Sequence, residues 1–359
     1  MIELAGFSSV LVQFATFAGI FALLALGLNL QWGMGGLFNI GIAGFFAVGA
    51  YASAILTGAA NPSHLGGFAM PFILGALAAM SVSGLIALAI GLITLRLRAD
   101  YLAIATIGIA EILRLFLKNE AWLTNGVRGI AGIAKPHAAF LGPGWATLVF
   151  FAIVLVSVLL VYLGLERARR SPWGRVLRAV RENEETAAAS GKNTVRFRLE
   201  AFVLGSMIMG YGGALYAHFF GFISPEAFEP ELTTFLVWIM LIAGGSGNNR
   251  GAILGAVAIW LVWSGTEVLT NRLPPELVTQ AGAIRLLLIG ALLQVILLLR
   301  PEGLLKERPP PAPLPPKGVP PAPLPPKGVP PKGVPPKGVP PRGEARPPRG
   351  PAPPPSSRA

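Results

Sequence analysis

Two residues of opposite charge stand three positions apart inside an otherwise apolar segment. Glu111 and Arg114 lie in the run 101–118, and at this spacing they share one face of a helix. Ionisable side chains within a bilayer are costly to bury, so they pair with one another and often mark a pathway. Three interpretations are open: an ion pair that fixes helix packing, which we favour, a gating pair that re-forms between two states, and direct contact with a zwitterionic substrate.

Uncharged amides form a second candidate group. Asn29 and Asn39 flank a break after the first apolar run, and Gln31 lies between them. Buried amides at such a break either line a polar path or hydrogen-bond to adjacent helices. The sequence leaves both interpretations open, and we therefore keep Asn29 and Asn39, with Glu111 and Arg114, as candidate gating or pathway residues.

Residue types that serve enzymes and metal sites are scarce. The chain has no cysteine, and its three histidines stand far apart with no second ligand at helical spacing. Loop or helix-interface positions explain these histidines better than a metal site does. They are His64, His137 and His218. We expect no metal site, no cofactor bound by this chain and no enzymatic activity.

A phosphate-binding loop is also missing from the sequence. Such a loop requires the pattern G-x-x-x-x-G-K-[ST]. The single Gly-Lys pair, Gly191-Lys192, is followed by Asn193, and Thr186 stands where the first glycine would be. The chain therefore cannot hydrolyse ATP by that route, and any ATP would be used by another polypeptide.

The elements that must position these residues are membrane helices. The 359-residue chain is 53% hydrophobic and 13% charged, about half the charge of a soluble domain. Its apolar runs are long enough to cross a bilayer and lack the polar face of a soluble helix. We predict an all-α, polytopic membrane protein with about nine spans, of which the Gly-rich second and the short seventh could be re-entrant or broken. The spans are 7–30, 35–58, 68–93, 101–118, 145–165, 199–217, 232–247, 251–269 and 281–299.

The basic residues predict how these spans are oriented. The interval 166–198 contains nine Lys and Arg residues, whereas 61–67 and 218–231 contain none. Basic loops are typically cytoplasmic, so we predict an extracytoplasmic N-terminus and a cytoplasmic C-terminus. The net charge of +12 lies beside the spans and in the C-terminal region, and we therefore expect contact with membrane lipid and not with nucleic acid.

The first part of the basic interval reads as an amphipathic helix. Ser171 followed by Pro172 is typical of a helix start. Apolar residues then recur on one face and arginines on another, which suits a helix lying along the cytoplasmic membrane surface. The apolar residues are Trp173, Val176, Leu177 and Val180, and the arginines are Arg175, Arg178 and Arg181.

A second, very short helix follows within the sequence "NEETAAASG". Asn183 can cap its start, acids occupy its positive end, alanines form its body, and Gly191 suits a left-handed stop. Eight residues rise only about 12 Å, and so short a helix is unstable alone in water. We expect another protein's groove to hold it. The residues concerned are Glu184, Glu185, Ala187, Ala188, Ala189 and Gly191.

These residues also carry a resemblance to a known family. "EETAAASG" is similar to the cytoplasmic coupling-helix motif of ABC-importer permeases, although Thr186 stands where a second alanine is usual. Over about residues 10–300 the chain resembles the branched-chain amino acid permease family, and within it the M-type permease subunit. The segments that match are "LGLNLQWGMGGLFNIGIAGFFAVGAYASA", "LRLRADYLAIATIGIAEILRL", "TNGVRGIAGI", "SPWGRVLRAVRENEETAAASGKN", "GGALYAHFFGFISPEAF" and "LIAGGSGNNRGAILGA".

The resemblance implies a subunit of a heteromeric importer in the bacterial inner membrane. Its partners would be a second permease that forms a heterodimer with it, two ATPase subunits that use ATP, and a periplasmic binding protein that delivers leucine, isoleucine or valine. The coupling helix would bind the ATPase. Two alternatives remain open: a permease of the same type for urea or a short amide, and a stand-alone secondary transporter.

The C-terminal region differs in composition from the rest of the chain. Residues 301–359 repeat "PPAPLPPKGV" and "PPKGV" and hold most of the prolines in the chain. Such a composition cannot bury a core, so we predict a permease domain over 1–300, with a coupling loop at 166–198, and a disordered, polyproline-like tail over 301–359.

Overall fold

The computed structural model describes residues 2–97, 99–136, 138–270, 280–300 and 302–307. Within these ranges the chain is almost entirely α-helical. The helices are α1 (Ile2–Leu28), α2 (Ile42–Thr57), α3 (Phe72–Thr94), α4 (Ala99–Asn119), α5 (Ala121–Thr124), α6 (Ala138–Arg170), α7 (Pro172–Glu182), α8 (Glu184–Ala189), α9 (Thr194–Phe220), α10 (Pro230–Gly244), α11 (Asn249–Thr270) and α12 (Ala281–Leu299). Two two-residue strands, β1 (Ile130–Ala131) and β2 (Phe222–Ile223), pair antiparallel.

Each of the nine predicted runs overlaps one of these helices. Among the described residues, six segments are long and apolar enough to cross a membrane. They are Val10–Met34, Phe72–Thr94, Trp145–Arg170, Thr194–Phe220, Pro225–Gly244 and Gly282–Leu299. Helix α2 is apolar but shorter, with 16 residues. The protein is therefore a polytopic helical membrane protein, and the count of nine spans stays a prediction.

Close backbone contact between α2, α3 and α9 forms the centre of the bundle. Gly49 of α2 lies directly against the backbone of Gly210 in α9, so that a Cβ atom at either position would collide with its surroundings. Helices in lipid associate through such small residues because no hydrophobic drive brings them together. The glycines at this contact therefore allow close helix packing.

The break after the first apolar run has a defined geometry. Helix α1 continues into a π-helical turn over Asn29–Met34, and the chain then runs without regular structure to Gly41 before α2 begins. π-Helical turns are rare and occur frequently at functional sites. The predicted second span, 35–58, therefore starts with non-helical residues, as expected for a broken span.

The residues that follow α12 are ordered against the body of the protein. Leu304 and Leu305 donate backbone hydrogen bonds to the carbonyls of Ala243 and Gly244, at 2.8 and 3.0 Å. The compact unit that contains the helices extends to Arg308. The described residues 302–307 therefore contact the helical body, whereas 308–359 lie outside the described residues and the disordered tail stays a prediction.

Candidate functional site

The two short helices of the basic interval begin and end at the capping residues that the sequence predicts. The Ser171 hydroxyl accepts a hydrogen bond from the Gly174 amide at 3.3 Å, with Pro172 at the first position of α7. The Asn183 side chain accepts one from the Thr186 amide at 2.8 Å. Gly191 has φ +75°, the left-handed conformation that ends α8 at little cost for glycine. The local predictions for α7 and α8 are confirmed.

Helix α8 is attached to the body on one side and is exposed on the other. The Glu184 carboxylate accepts hydrogen bonds from Arg198 at 3.0 and 3.2 Å and from the Thr194 hydroxyl at 3.1 Å, which joins α8 to the start of α9. Ala187 is buried against the body. The remaining predicted coupling residues are exposed, and they are Glu185, Ala188, Ala189 and Gly191. This exposed surface is narrow and small enough to enter a groove in another protein.

The arginines of α7 do not form one exposed face, and in this respect the prediction is wrong. Only Arg175 is exposed. Arg178 is 8% exposed and donates a hydrogen bond to the Arg169 carbonyl at 3.2 Å. The α7 helix packs on both sides, because Trp173 on the opposite side donates to the Glu200 carboxylate at 2.7 Å. Tertiary packing, which periodicity cannot show, turns the basic side of α7 toward the protein.

Arg181, the third arginine, connects three parts of the chain. Its guanidinium donates a hydrogen bond to the Gly33 carbonyl in the π-helical turn. The same group pairs with the Glu307 carboxylate at 3.0 and 3.1 Å. Its stem also packs against Gly36, where φ is +67° and a Cβ would meet the arginine. The helix preceding α8 is therefore joined directly to the irregular segment that follows α1.

The buried amides form two separate hydrogen-bonded groups, one around Asn29 and one around Gln31 and Asn39. Asn29 donates to the Asn249 side chain at 2.9 Å and accepts from the Gly247 amide at 2.8 Å. Asn39 donates to the Gln31 side chain at 2.8 Å. All three amides, Asn29, Gln31 and Asn39, are 0% exposed. In this conformation they join helices, which is one of the two interpretations from sequence, and neither Asn29 nor Asn39 is open to a polar path.

Glu111 and Arg114 do pair, through two hydrogen bonds of 2.6 and 2.8 Å. Their side chains remain 39% and 16% exposed, respectively. Both line an outer cleft of about 370 Å³ between α4 and the start of α10. The other residues lining this outer cleft are Ile107, Gly108, Glu229 and Pro230. The pair thus borders an open space, whichever of the three roles it has.

A larger cavity adjoins the outer cleft, and sequence reasoning missed it. This aromatic chamber has a volume of about 560 Å³ and shares Ile107 and Pro230 with the outer cleft. Three rings at its wall contact one another, with centroid distances of 5.2 Å for Trp32–Phe38, 5.4 Å for Trp32–Trp238 and 4.9 Å for Phe38–Trp238. Phe38 and Trp238 are 200 positions apart, so no local pattern signals their meeting.

The two described histidines, His64 and His218, contact hydroxyl groups and backbone carbonyls. His218 is buried and contacts the Ser53 hydroxyl at 3.2 Å and the Ala134 carbonyl at 2.7 Å, which joins α9 to α2 and to the loop beyond β1. His64 contacts a neighbouring backbone carbonyl, and His137 lies outside the described residues. Within the described part of the chain, no group of three His, Asp or Glu side chains is arranged to hold a metal ion.

Comparison with known proteins adds independent information. Residues 10–297 match the model of a family described as a branched-chain amino acid transport system permease component. The chain is 34% identical to the high-affinity branched-chain amino acid transport system permease protein LivM of Salmonella typhimurium, over 82% of this chain and 69% of that protein. It is 30% identical to a probable LivM of Methanocaldococcus jannaschii, over 81% and 92% of the two chains. The permease protein LivH of Escherichia coli is 23% identical over the same shares. No solved structure matches the chain.

Proposed function

This chain belongs to the family of branched-chain amino acid transport permeases, and we propose that α8 is the element through which a separate ATPase subunit drives it. As a member of this family, the chain is a permease subunit of an ABC importer for branched-chain amino acids. It is a multi-pass protein of the bacterial inner membrane. What supports the proposal most is the geometry of α8: a short helix, capped at both ends and fixed to the body by Glu184, with Ala188 and Ala189 exposed.

A separate ATPase is required because this chain lacks a phosphate-binding loop. The only Gly-Lys pair, at Gly191-Lys192, follows α8 and is not embedded in the glycine pattern that cradles phosphates. We infer that the chain uses no cofactor of its own and that ATP is bound and hydrolysed by partner subunits. Helix α8 and the segment around it would then receive the movement of those subunits.

The contacts of Arg181 suggest how that movement reaches the membrane. Helix α8 follows α7 after a single residue, Asn183, so a displacement of α8 displaces α7. Arg181 on α7 is bonded to the Gly33 carbonyl, and the neighbouring residue, Trp32, lines the aromatic chamber. ATP binding would bring the two coupling helices of the complex together and shift the equilibrium between the inward-open and outward-open states. ATP hydrolysis would then return the complex to its starting state.

The remaining partners and the orientation follow from the family and the charge pattern. We infer that a second permease forms a heterodimer with this chain and that a periplasmic binding protein delivers the amino acid. The basic interval 166–198 lies in the cytoplasm in this account, with the loop 218–231 on the periplasmic side. Nine spans with an outside N-terminus and a cytoplasmic C-terminus satisfy that arrangement.

The proposed role of α8 can be tested in the assembled transporter. Ala188→Asp places a carboxylate on the surface that a partner groove would desolvate, and an unpaired buried charge is costly. We expect it to reduce ATP-dependent leucine uptake into proteoliposomes at least tenfold and to weaken co-purification of the ATPase. Ala59→Asp, at another exposed alanine, is the matched control and should transport normally.

A second pair of variants tests Gly191, the left-handed residue that follows α8. Gly191→Trp adds a large ring beside the exposed face, whereas Gly191→Asn keeps a residue that tolerates the left-handed conformation. Uptake should be lost only with tryptophan. Normal uptake by both Ala188→Asp and Gly191→Trp would contradict the role of α8.

Measuring urea uptake in the same assay tests the alternative substrate. Uptake of urea without uptake of leucine would show that the chain is a permease for urea.

A further inference from the structure

We propose that the aromatic chamber and the outer cleft form one passage, and that the amino acid contacts this chain there, along the seam between α4 and α10. This inference rests on the proposed function, because it assigns residues to the passage of its substrate. The family comparisons do not place the substrate anywhere in the chain.

The first argument is continuity. Ile107 and Pro230 line both the outer cleft and the aromatic chamber, so the two spaces are adjacent at these residues. Along α10 the lining runs from Pro230 to Ile242. At 1.5 Å per residue, those 12 steps cover about 18 Å, more than half the thickness of the hydrocarbon core. A cleft of this length along the helix direction suits a passage better than a local packing defect.

The second argument is the chemistry of the lining. The outer cleft offers both signs of charge, with the Glu111 and Glu229 carboxylates and the Arg114 guanidinium. The chamber wall is nearly all apolar, with the side chain of Ile107 and the four aromatic rings of Trp32, Phe38, Phe235 and Trp238. A branched-chain amino acid has the same division, since an ammonium and a carboxylate adjoin an aliphatic side chain. The chamber volume of about 560 Å³ lies within the range typical of small-molecule sites.

A lipid acyl chain is the competing occupant of an apolar cleft in a membrane protein. The Glu111–Arg114 pair argues against it. Glu111 is 39% exposed, and charged groups facing hydrocarbon are costly, whereas those in membrane proteins typically face a bundle interior or a water-filled cavity. The side on which Glu111 is exposed is therefore better suited to water, and the second permease would close it.

The third argument is the link between the chamber and α7, which precedes the proposed ATPase-binding helix α8. Trp32 at the chamber wall directly precedes Gly33, whose carbonyl is bonded to Arg181 of α7. Phe38 and Trp238 are in turn fixed to each other, and the Trp238 indole donates to the Asn39 carbonyl at 3.1 Å. A displacement of α7 would therefore act on the wall of the chamber with a single residue between them. A passage that must open and close requires such a connection.

Cysteine accessibility provides the test, because the chain has no native cysteine. Ile107→Cys and Phe235→Cys place thiols in the proposed passage. Ile112→Cys is the matched control, at a residue on the same helix that is 65% exposed and lies about 140° around the axis from Ile107. Each variant is assembled with its partner subunits in proteoliposomes, and modification of this chain is followed with a charged, membrane-impermeant methanethiosulfonate.

We expect Ile107→Cys and Phe235→Cys to react at least tenfold faster than Ile112→Cys in one nucleotide state. Leucine supplied with the binding protein should slow the reaction at 107 and 235 at least fivefold. Ile107→Trp should reduce leucine uptake at least tenfold, whereas Ile112→Trp should change it less than twofold.

Two results would overturn the passage. One is reaction of the cysteines at 107 and 235 only with a membrane-soluble maleimide, which would show that lipid fills the space. The other is normal uptake by Ile107→Trp together with modification that leucine does not slow. Both leave leucine uptake by the unaltered complex intact, whereas a failure of that uptake would contradict the proposed function itself.

Discussion

Removing the hydrogen bond from Arg181 to the Gly33 carbonyl is the most direct test of how movement of α7 and α8 reaches the membrane part of the protein. Arg181→Met keeps most of the length of the side-chain stem that packs against Gly36 and removes the charge and the donors. It also removes the ion pair with Glu307. Glu307→Gln removes only that ion pair and leaves the Gly33 contact in place.

The two contacts of Arg181 are expected to contribute different amounts of free energy. A hydrogen bond from a charged donor contributes about 1.5–3 kcal/mol, because its loss leaves a carbonyl unsatisfied. The Arg181 and Glu307 side chains are 23% and 32% exposed, so their ion pair contributes at most about 1 kcal/mol. If the Gly33 contact forms in one transport state only, a loss of about 2 kcal/mol shifts the equilibrium between states about 30-fold.

The assay is ATP-dependent leucine uptake by the complete complex, with ATP hydrolysis and co-purification of the ATPase measured in parallel. For Arg181→Met we expect uptake to fall about tenfold or more while the ATPase still co-purifies and hydrolyses ATP. Glu307→Gln should change uptake less than threefold. Arg175→Met, at an exposed arginine of the same helix, is the control and should behave like the unaltered chain.

Three results would refute this reasoning. Normal uptake by Arg181→Met would show that the Gly33 contact does not transmit movement. An equal loss in Glu307→Gln would assign the effect to the C-terminal segment. Loss of ATPase co-purification in Arg181→Met would show that the arginine shapes the docking surface and does not act beyond it.

Two further predictions concern the membrane part of the chain. Reversing the charge at Glu111 or at Arg114 alone leaves two like charges at hydrogen-bond distance, so we expect each single variant to lose at least tenfold in uptake. Reversing both charges together should recover part of that loss. Failure of the double variant to recover would exclude an exchangeable pair. Gly49→Ala forces a methyl group into the backbone of Gly210 and should lower the free energy of unfolding by about 1–3 kcal/mol. Gly108→Ala, in α4, meets no atom within 4 Å and should not lower it, because alanine is the better helix former. A thermal unfolding scan of the purified complex distinguishes the two.

Local features of this protein were accessible from the sequence because their causes lie within a few residues. Ser171, Asn183 and Gly191 act on backbone groups at most five positions away, and the structure shows all three where the sequence places them. The apolar runs are likewise local, since the length and composition of each run decide whether it can cross a bilayer. The family resemblance also depends on local segments, which match in order along the chain.

The orientation of α7 shows where that reasoning stops. Its apolar and basic positions are spaced as in a helix lying on a membrane, but Arg178 and Arg181 point into the protein. The partner of Arg181 is a backbone carbonyl 148 positions away, and any residue type could have supplied it. Periodicity identifies a helix with two faces, and it does not identify what covers each face.

By itself, therefore, the sequence determined that this is a helical membrane permease with a short, capped, alanine-rich helix. Only the tertiary structure decided that Asn29 bonds Asn249, that Trp32, Phe38 and Trp238 meet at one chamber, and that Arg181 joins this chamber to the helix before α8. The physical reason is that caps and apolar runs depend on neighbouring residues, whereas cavities and interhelical contacts depend on which distant faces the folded bundle brings together.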